Sequence, residues 1–373
     1  MTQAPLYYIR FLKPPPIDCN VGQHFTIVWT IESDLGDQAF WEPVPVTCSL
    51  QGCTQLGLRI MNADPKGNNK KKVSAKPYQQ EKSLPLTPDV PLVYDPLQGG
   101  GIVTKLVVEP LPGKVLPVGT TVSIQLSMIL SPAARTTVTS HAIWQNAYMF
   151  ASSIWLLPTW SVPMQTTVTK QRHFESESGD QAERILRVSK NKVIHIREDA
   201  VQSIARHVWD CGLGMCQFLA EQNIDPRYNV FLELGSGTGL VGIYAAELLK
   251  PKKVYLTDLA DALEIMQQNV DLMENKNLDM VVKELSWGPE KQLEYKDVNL
   301  ILLTDVLYNQ SSHDLLLETL DWLLDNEEAK ALLTYKERNH DEREFFTKVA
   351  KKGWRCDRVP SDDLICEVYW IGK

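Results

Sequence analysis

The stretch NVFLELGSGTGLVGIYAAELL, residues 229–249, decides the fold of this protein. A short apolar run ends at three glycines spaced two residues apart, Gly235, Gly237 and Gly239, and an apolar run with helical spacing follows. Because glycine lacks a Cβ atom, such a loop can turn sharply and lets a ligand approach main-chain N–H groups. The stretch therefore predicts a strand, a ligand-binding loop and a helix. A purely structural turn is the alternative, although one glycine would be enough for it.

The chain around this loop alternates between strand-like and helix-like patterns. The predicted strands are VFLEL, KVYLTD, MVVKELSW, NLILLTDVLY and AKALLTYK, with helical patterns between them. Two last runs, WRCDRV and LICEVYWI, are separated only by PSDD, which is too short for a parallel crossover, so they should pair antiparallel. This pattern predicts an α/β fold over residues 180–373, with the seven-strand Rossmann-like sheet of methyltransferases and an antiparallel last strand pair.

The first part of the chain has a different composition. Eighteen of the 22 prolines lie at or before Pro163, and the runs between them are β-branched and aromatic. Proline is excluded from helix interiors and central strands. Residues 1–160 are therefore predicted to form an all-β sandwich or barrel, joined by a linker at 161–179. A hairpin is predicted at 184–196, just after that linker.

Glu233, two residues before the glycine loop, limits what the loop can bind. A dinucleotide site usually has its last glycine one residue later, and a carboxylate here would repel a pyrophosphate. The same carboxylate suits a ligand that carries positive charge, such as the amino acid end of S-adenosylmethionine.

Two further residues are candidates for the same ligand. Asp258 ends the next strand, where an acidic residue accepts hydrogen bonds from ribose hydroxyls in nucleotide-binding folds; a helix N-cap is the alternative. Trp287, at the end of the third strand, could stack on an adenine ring. The alternative for Trp287 is an ordinary core tryptophan.

Asp305 and Tyr308 lie at the carboxyl end of the fourth strand. Active sites of open parallel sheets lie off these ends, so we expect both residues at the catalytic site. Capping of the following helix is the alternative for Asp305.

Composition restricts the partners. The net charge is −8, so no global basic field indicates nucleic acid or an anionic membrane. Seven scattered cysteines without a C-x-x-C indicate reduced intracellular thiols. The sequence has no cluster of His and Cys residues that would predict a metal site. The N-terminal residues lack a signal-peptide pattern, and no apolar stretch is long enough to span a bilayer. We expect a cytoplasmic or nuclear monomer.

Six motifs together give the chain a family resemblance. They are HVWD, FLELGSGTGLVGI, VYLTDL, ELSWG, TDVLYN and LLTYKER. The chain resembles the seven-β-strand protein-lysine methyltransferases that modify valosin-containing protein, heat-shock chaperones and translation elongation factors. The similarity covers roughly residues 180–373 and leaves the N-terminal β region outside it.

The resemblance implies S-adenosylmethionine as the cofactor and a protein lysine as the substrate, in an AAA ATPase, chaperone or elongation factor. It places Asp305 and Tyr308, in the D-x-x-Y motif, at the target-lysine channel. Relatives often read Y-E-x-R where this chain has YKER at 335–338. The residues that form the wall of that channel therefore stay undecided from the sequence. The residues that the resemblance assigns to the cofactor are Trp209, Glu233, Gly235, Ser236, Gly237, Asp258, Trp287 and Thr304; Gly239 completes the loop.

Other classes of function stay open from the sequence. A small-molecule methyltransferase would share every cofactor motif. A scaffold that binds the cofactor without turnover is a second alternative, and a nicotinamide oxidoreductase is disfavoured by Glu233. The N-terminal β region could recruit the protein substrate, helped by the lysines of KGNNKKK at 66–72, or could cover an apolar face of the catalytic region.

Overall fold

A computed structural model describes most of the chain, in seven segments: 5–61, 85–135, 148–150, 154–169, 177–200, 206–360 and 365–373. The KGNNKKK stretch at 66–72 lies outside these segments, so its assignment to a surface loop stays a prediction. Among the helices of the described segments, none is long and apolar enough to cross a membrane.

Short strands form the first half of the structure. They are β1 (Leu6–Lys13), β2 (Asp18–Asn20), β3 (His24–Glu32), β4 (Val44–Gln51), β5 (Leu56–Ile60), β6 (Asp89–Tyr94), β7 (Ile102–Pro110), β8 (Thr121–Leu130), β9 (Tyr148–Phe150), β10 (Ile154–Leu157), β11 (Thr159–Ser161), β12 (Met164–Thr167), β13 (Gln181–Ser189) and β14 (Lys192–Asp199).

These strands make two sheets. The first has the order β5-β7-β3-β1-β10-β9; the second has the order β14-β13-β11-β8-β12-β2, with β4 joining β8 to β6. Alternate side chains of the strands point inward, so both sheets contribute to one apolar core, in which Trp29 of β3 and Met128 of β8 are fully buried. The predicted all-β fold of the N-terminal region is confirmed, and its form is a sandwich.

The predicted hairpin at 184–196 forms between β13 and β14. It does not open the α/β region, however, because β13 also pairs with β11, with Trp160 opposite Glu183. The second sheet of the sandwich therefore continues to Asp199, past the boundary at residue 180 that the sequence indicated. A hairpin pattern is local and does not reveal which sheet the hairpin joins.

The second half is a three-layer α/β structure. Its strands are β15 (Val230–Leu234), β16 (Lys253–Asp258), β17 (Met280–Glu284), β18 (Leu300–Thr304), β19 (Lys330–Tyr335), β20 (Arg355–Val359) and β21 (Glu367–Gly372). Its helices are α1 (Asp210–Glu221), α2 (Leu240–Leu249), α3 (Leu263–Leu272), α4 (His313–Leu323) and α5 (Glu344–Lys351).

The seven strands form one sheet in the order β17-β16-β15-β18-β19-β21-β20. The first five are parallel, and β21 runs antiparallel to both β19 and β20. The predicted sheet and its antiparallel last pair are confirmed. The strand order reverses between β15 and β18, which opens a crevice at their carboxyl ends.

The two halves share a core. Leu6 and Tyr8 of β1 belong to the same apolar cluster as Leu213 and Phe218 of α1. The Tyr8 hydroxyl, itself fully buried, donates a hydrogen bond to Asp210 Oδ1 at 2.6 Å. The sandwich therefore covers an apolar face of the α/β region.

This shared core predicts the behaviour of a fragment that begins at Thr166. Such a fragment lacks β1, so the apolar side chains of α1 would be exposed to water and Asp210 would lose its buried hydrogen-bond donor. We expect the fragment to aggregate or to lack a cooperative thermal transition, measured by gel filtration and circular dichroism. A soluble monomer with the melting temperature of the full chain would show that the shared core is dispensable.

Candidate active site

A cavity of about 560 Å³ opens at the carboxyl ends of β15, β16 and β18. Its volume lies in the usual range for small-molecule sites. Its walls contain ten of the eleven residues that the sequence assigned to the site: Trp209, Glu233, Gly235, Ser236, Gly237, Asp258, Trp287, Thr304, Asp305 and Tyr308. These residues are distant in sequence, and the parallel sheet brings them together.

The glycine loop forms one wall of this cavity. Gly235 and Gly237 have φ values of 69° and 56°, in the left-handed region that favours glycine. A Cβ atom on Gly235 would lie 3.1 Å from Val306 and 3.4 Å from Trp287, so the loop approaches the opposite wall closely. Gly239 is not brought to the cavity. It is the N-cap of α2, and its main chain packs against Leu256 of β16.

Glu233 is buried beside this loop with half of its carboxylate unpaired. Its Oε2 accepts a hydrogen bond from the Gly242 N–H at 2.8 Å, while Oε1 has no hydrogen-bond partner among the described residues. Burial raises the pKa of Glu233 to about 8. A buried acceptor without a donor is costly, so this atom favours a ligand that brings a donor or a positive charge.

Asp258 fixes the glycine loop to the end of β16. Its Oδ2 accepts a hydrogen bond from the Gly237 N–H at 2.8 Å, and its Oδ1 accepts one from the Leu259 N–H at 2.7 Å. Asp258 is not a helix cap, because the following turn has Leu259 as its N-cap and α3 has Ala262, neither with a side-chain capping bond. Each carboxylate oxygen can accept a further hydrogen bond, which leaves room for a ligand hydroxyl.

Two tryptophans add flat apolar surface to the cavity. Trp209 is the N-cap residue of α1, and the Arg338 guanidinium lies 5.5 Å from the centre of its ring. Trp287 packs partly against the core of the α/β region while it also lines the cavity. The two alternatives for Trp287, core residue and ligand contact, are therefore compatible.

Asp305 also lines the cavity, in a strained conformation. Its φ is 56°, an uncommon value for a residue other than glycine, and strain of this kind is concentrated at functional sites. Its carboxylate pairs with the Arg338 guanidinium, with Arg338 Nε 3.4 Å from Oδ1 and Nη2 in contact with Oδ2. Burial raises the pKa of Asp305, while the contact with Arg338 opposes this shift. Asp305 is not a helix cap, because the turn after it is capped by the Asn309 side chain.

Exposed apolar side chains surround the mouth of the cavity. Tyr308, Leu259 and Leu315 come from the α/β region, and Leu35 comes from the loop after β3 in the sandwich. Tyr308 is 58% exposed, so its ring is accessible to a partner rather than packed in the core. The sandwich therefore contributes directly to the site.

Sequence reasoning missed three residues of this region. Arg338 was visible in the YKER motif and His207 in the HVWD motif, both without an assigned role, and Leu35 carried no signal because it reaches the cavity only through tertiary packing. Burial, together with the charges of Arg10 and Arg184, lowers the pKa of His207 in spite of the opposing charge of Glu198, so its imidazole is neutral at pH 7. Within the described segments, no group of three or more His, Cys, Asp or Glu side chains could hold a metal ion.

Comparison with known proteins identifies the family. Residues 188–352 match the family described as "Lysine methyltransferase". EEF1A lysine methyltransferase 3 of Xenopus tropicalis is 34% identical over 143 residues, which cover 38% of this chain and 63% of that protein. Protein N-lysine methyltransferase METTL21A of Mus musculus is 35% identical over 166 residues, 43% of this chain and 75% of that protein. Protein-lysine N-methyltransferase EFM6 of Saccharomyces cerevisiae is 29% identical over 169 residues, 39% of this chain and 68% of that protein.

The chain is thus a member of a methyltransferase class, and it belongs to the lysine methyltransferase family. It spans less than two thirds of the frog relative and more than two thirds of the other two. S-adenosylmethionine is the cofactor that this membership assigns to the cavity. The residues present fit that cofactor, since the unpaired Glu233 Oε1 suits an ammonium group and Asp258 suits ribose hydroxyls.

The raised pKa of Glu233 predicts a pH dependence of stability. The folded protein keeps a proton on Glu233 up to about pH 8, while the unfolded chain loses it near the ordinary value of 4.5. The free energy of unfolding should therefore fall as the pH rises between these values, by up to about 1.4 kcal/mol per pH unit for this one group. Glu233→Gln replaces the titratable carboxyl group with an amide. In urea denaturation, the variant should therefore lose less stability than the wild type between pH 5 and pH 8. Equal slopes for both proteins would contradict the burial of Glu233 as an acid.

Proposed function

We propose that this protein transfers methyl groups from S-adenosylmethionine to a lysine side chain of a protein substrate. The observation that carries the proposal is one cavity lined by two chemically different sets of residues. The closed end is named for the buried Glu233 and contains the glycine loop with the unpaired Oε1; the open end is named for the exposed Tyr308 and contains the Asp305 carboxylate. Such an arrangement holds a cofactor on one side and leaves the other side accessible to a long side chain.

The residues at the closed end bind and orient the cofactor. S-adenosylmethionine, when bound, supplies a methyl group activated on a positively charged sulfur. Beside the positive charge of the cofactor's ammonium group, Glu233 would lose its proton and accept a hydrogen bond. Asp258 would accept from the cofactor's ribose, and Trp287 offers a flat surface for its adenine. The main-chain N–H groups of the glycine loop remain close to the ligand because no Cβ atoms hold it away.

The residues at the open end prepare the lysine. A lysine amine has an ordinary pKa near 10.4 and must lose its proton before it can attack. The apolar side chains of Leu35, Leu315 and Val306 reduce the contact of the amine with water, which disfavours its charged form. Tyr308 limits the rotation of the lysine chain. Fixing the amine close to its target raises the effective concentration of the two groups.

The substrate is proposed to be a protein of the elongation factor type. Support comes from relatives that are named for elongation factor 1A, such as the frog protein with 34% identity. Chaperones and AAA ATPases are the other types that the resemblance implies. The sandwich is proposed to help in substrate recognition, because it places Leu35, which is 49% exposed, at the mouth of the cavity.

The alternatives are less well supported. The relatives are named as protein-lysine methyltransferases, which favours a protein substrate over a small molecule. A nicotinamide oxidoreductase does not fit the family of the chain. A scaffold without turnover differs from an enzyme in one measurable property, the release of a methylated product.

Incubation of the full chain with methyl-labelled S-adenosylmethionine and a cell extract tests the function. We expect label in a discrete protein, and mass spectrometry of that protein should find the methyl group on a lysine. Label only in small molecules would favour the small-molecule alternative. If no molecule is labelled, the result would favour a scaffold that binds the cofactor without turnover.

We also propose that the protein acts as a monomer in the cytoplasm or nucleus. The support is the net charge of −8 and the scattered cysteines, which are typical of reduced intracellular proteins. Gel filtration and microscopy of the labelled protein in cells test the two parts of this proposal.

The proposed contact of Asp258 with the ribose predicts the effect of Asp258→Ala. Hydrogen bonds to a charged group contribute about 1.5–3 kcal/mol, so we expect a loss of roughly tenfold or more in S-adenosylmethionine affinity. Trp209→Ala should also weaken binding. Titration calorimetry measures both effects, with Glu284→Ala, an exposed acid at the end of the neighbouring strand, as the control. A folded Asp258→Ala variant with wild-type affinity would remove Asp258 from the cofactor site.

The position of Asp305 at the open end predicts a separation of binding from transfer. Asparagine tolerates positive φ, so Asp305→Asn removes the charge without adding backbone strain. We expect cofactor affinity close to that of the wild type and a loss of methyl transfer of about a hundredfold, by analogy with other positioned charged groups. Asp261→Asn changes an exposed acid nearby and should have no effect. An undiminished rate in Asp305→Asn would show that Asp305 has only a structural role.

A further inference from the structure

Five charged side chains from both halves of the molecule form a single cluster behind the open end of the cavity. Arg338 lies between two carboxylates: its Nη2 is 2.9 Å from Asp34 Oδ2, and it also pairs with Asp305. Lys336 Nζ lies 2.5 Å from Asp210 Oδ2 and 3.5 Å from Asp34 Oδ1. Asp34 follows β3 of the sandwich, so the cluster crosses between the sandwich and the α/β region.

The charges of this cluster do not cancel. With all five groups ionised, Asp34, Asp210 and Asp305 give −3, Lys336 and Arg338 give +2, and the sum is −1. Burial raises the pKa of Asp210, while the charge of Lys336 and the hydrogen bonds from Lys336 and Tyr8 oppose this shift. The buried Glu342, whose Oε2 accepts a hydrogen bond from the Arg338 main-chain N–H at 3.1 Å, adds no positive charge to the cluster. Two neighbouring matched pairs do not alter this sum. They are Arg10 with Glu32 at 3.8 Å and Arg184 with Glu198 at 2.7 Å.

Asp34 supplies the negative charge that the cluster would otherwise lack. It is only 3% exposed and does not line the cavity; Arg338 and Asp305 do. Its carboxylate is held in place, since Oδ1 accepts from the Leu35 N–H at 3.0 Å. Burial opposes the charged form, but the hydrogen bond from Arg338 and the charge of Lys336 together lower the pKa of Asp34. Without Asp34, Arg338 would neutralise Asp305 completely.

We propose that Asp34 is a positioning residue for methyl transfer: by sharing Arg338 with Asp305, it leaves the open end of the cavity with a net negative charge that attracts the lysine ammonium of the protein substrate. This inference rests on the proposed function and deepens it, since it explains how an aspartate that is already paired with an arginine can still favour a cation. It also gives the sandwich a role in the reaction through a single side chain.

The simpler account treats the cluster as a buried ion-pair network that only joins the two halves. Both accounts predict damage when a charge is removed, because an unpaired buried charge is costly. They differ when the charge sum is restored. Asp34→Asn brings the sum to 0, whereas Asp34→Asn combined with Arg338→Gln returns it to −1, with two aspartates and one lysine.

The first measurement compares Asp34→Asn with the wild-type full chain. Calorimetry should give an S-adenosylmethionine affinity within about threefold of the wild type, because Asp34 does not line the cavity. The value of kcat/KM for the purified protein that wild-type enzyme labels should fall about tenfold or more, mainly through a higher KM. Asp37→Asn, an exposed carboxylate in the same loop, is the matched control and should leave both values unchanged.

The second measurement uses two rescue variants. Asp34→Glu keeps the charge, so it should retain more of the wild-type kcat/KM than Asp34→Asn does. The double variant Asp34→Asn/Arg338→Gln should be faster than Asp34→Asn alone. A network with only a structural role predicts the opposite order, since the double variant has lost two of the ion-pair partners.

The outcomes separate this inference from the function on which it rests. If wild-type enzyme labels no protein lysine, the proposed function fails and the inference fails with it. If wild-type enzyme labels a lysine and Asp34→Asn labels it at the same rate, only the inference is overturned. It is also overturned if Asp34→Asn loses cofactor affinity as strongly as it loses transfer, or if the double variant is no faster than Asp34→Asn.

Discussion

The contact of Arg338 with both Asp34 and Asp305 is the interaction that joins the two halves of the molecule at the site. It joins a loop of the sandwich to Asp305, the aspartate of the D-x-x-Y motif, which follows β18 and has a positive φ. The guanidinium also lies over Trp209, so the same side chain contacts the cofactor end of the cavity. A charge at this position can be buried only because carboxylates surround it. The sandwich and the α/β region are therefore joined beside the cavity.

Much of the fold could be predicted because its signals are local. Alternating apolar runs and helical patterns identified the parallel strands, and a four-residue link between the last two runs required an antiparallel pair. Asp258 and Asp305 could be assigned to one site because the carboxyl ends of parallel strands meet at one edge of the sheet. This assignment needed only the topology of the sheet and no detail of side-chain packing.

The remainder depends on contacts between residues that are far apart in the chain. Asp34 and Arg338 are separated by 304 residues, and nothing in the sequence around Asp34 marks it as part of a site. The hairpin of β13 and β14 was recognised, but its pairing with β11 depends on the three-dimensional arrangement of the sandwich. Gly239 continues the glycine spacing of the loop, but it is the N-cap of α2 and does not line the cavity.

A crystal structure of the full chain with S-adenosylhomocysteine, the product form of the cofactor, tests the central claim most directly. The account predicts that the amino acid end of the ligand lies against the glycine loop within hydrogen-bond distance of Glu233 Oε1, that its ribose contacts Asp258, and that Arg338 remains bound to both Asp34 and Asp305 beside the open end. A ligand outside this cavity, or an Arg338 that has left Asp34 while the cofactor is bound, would contradict it.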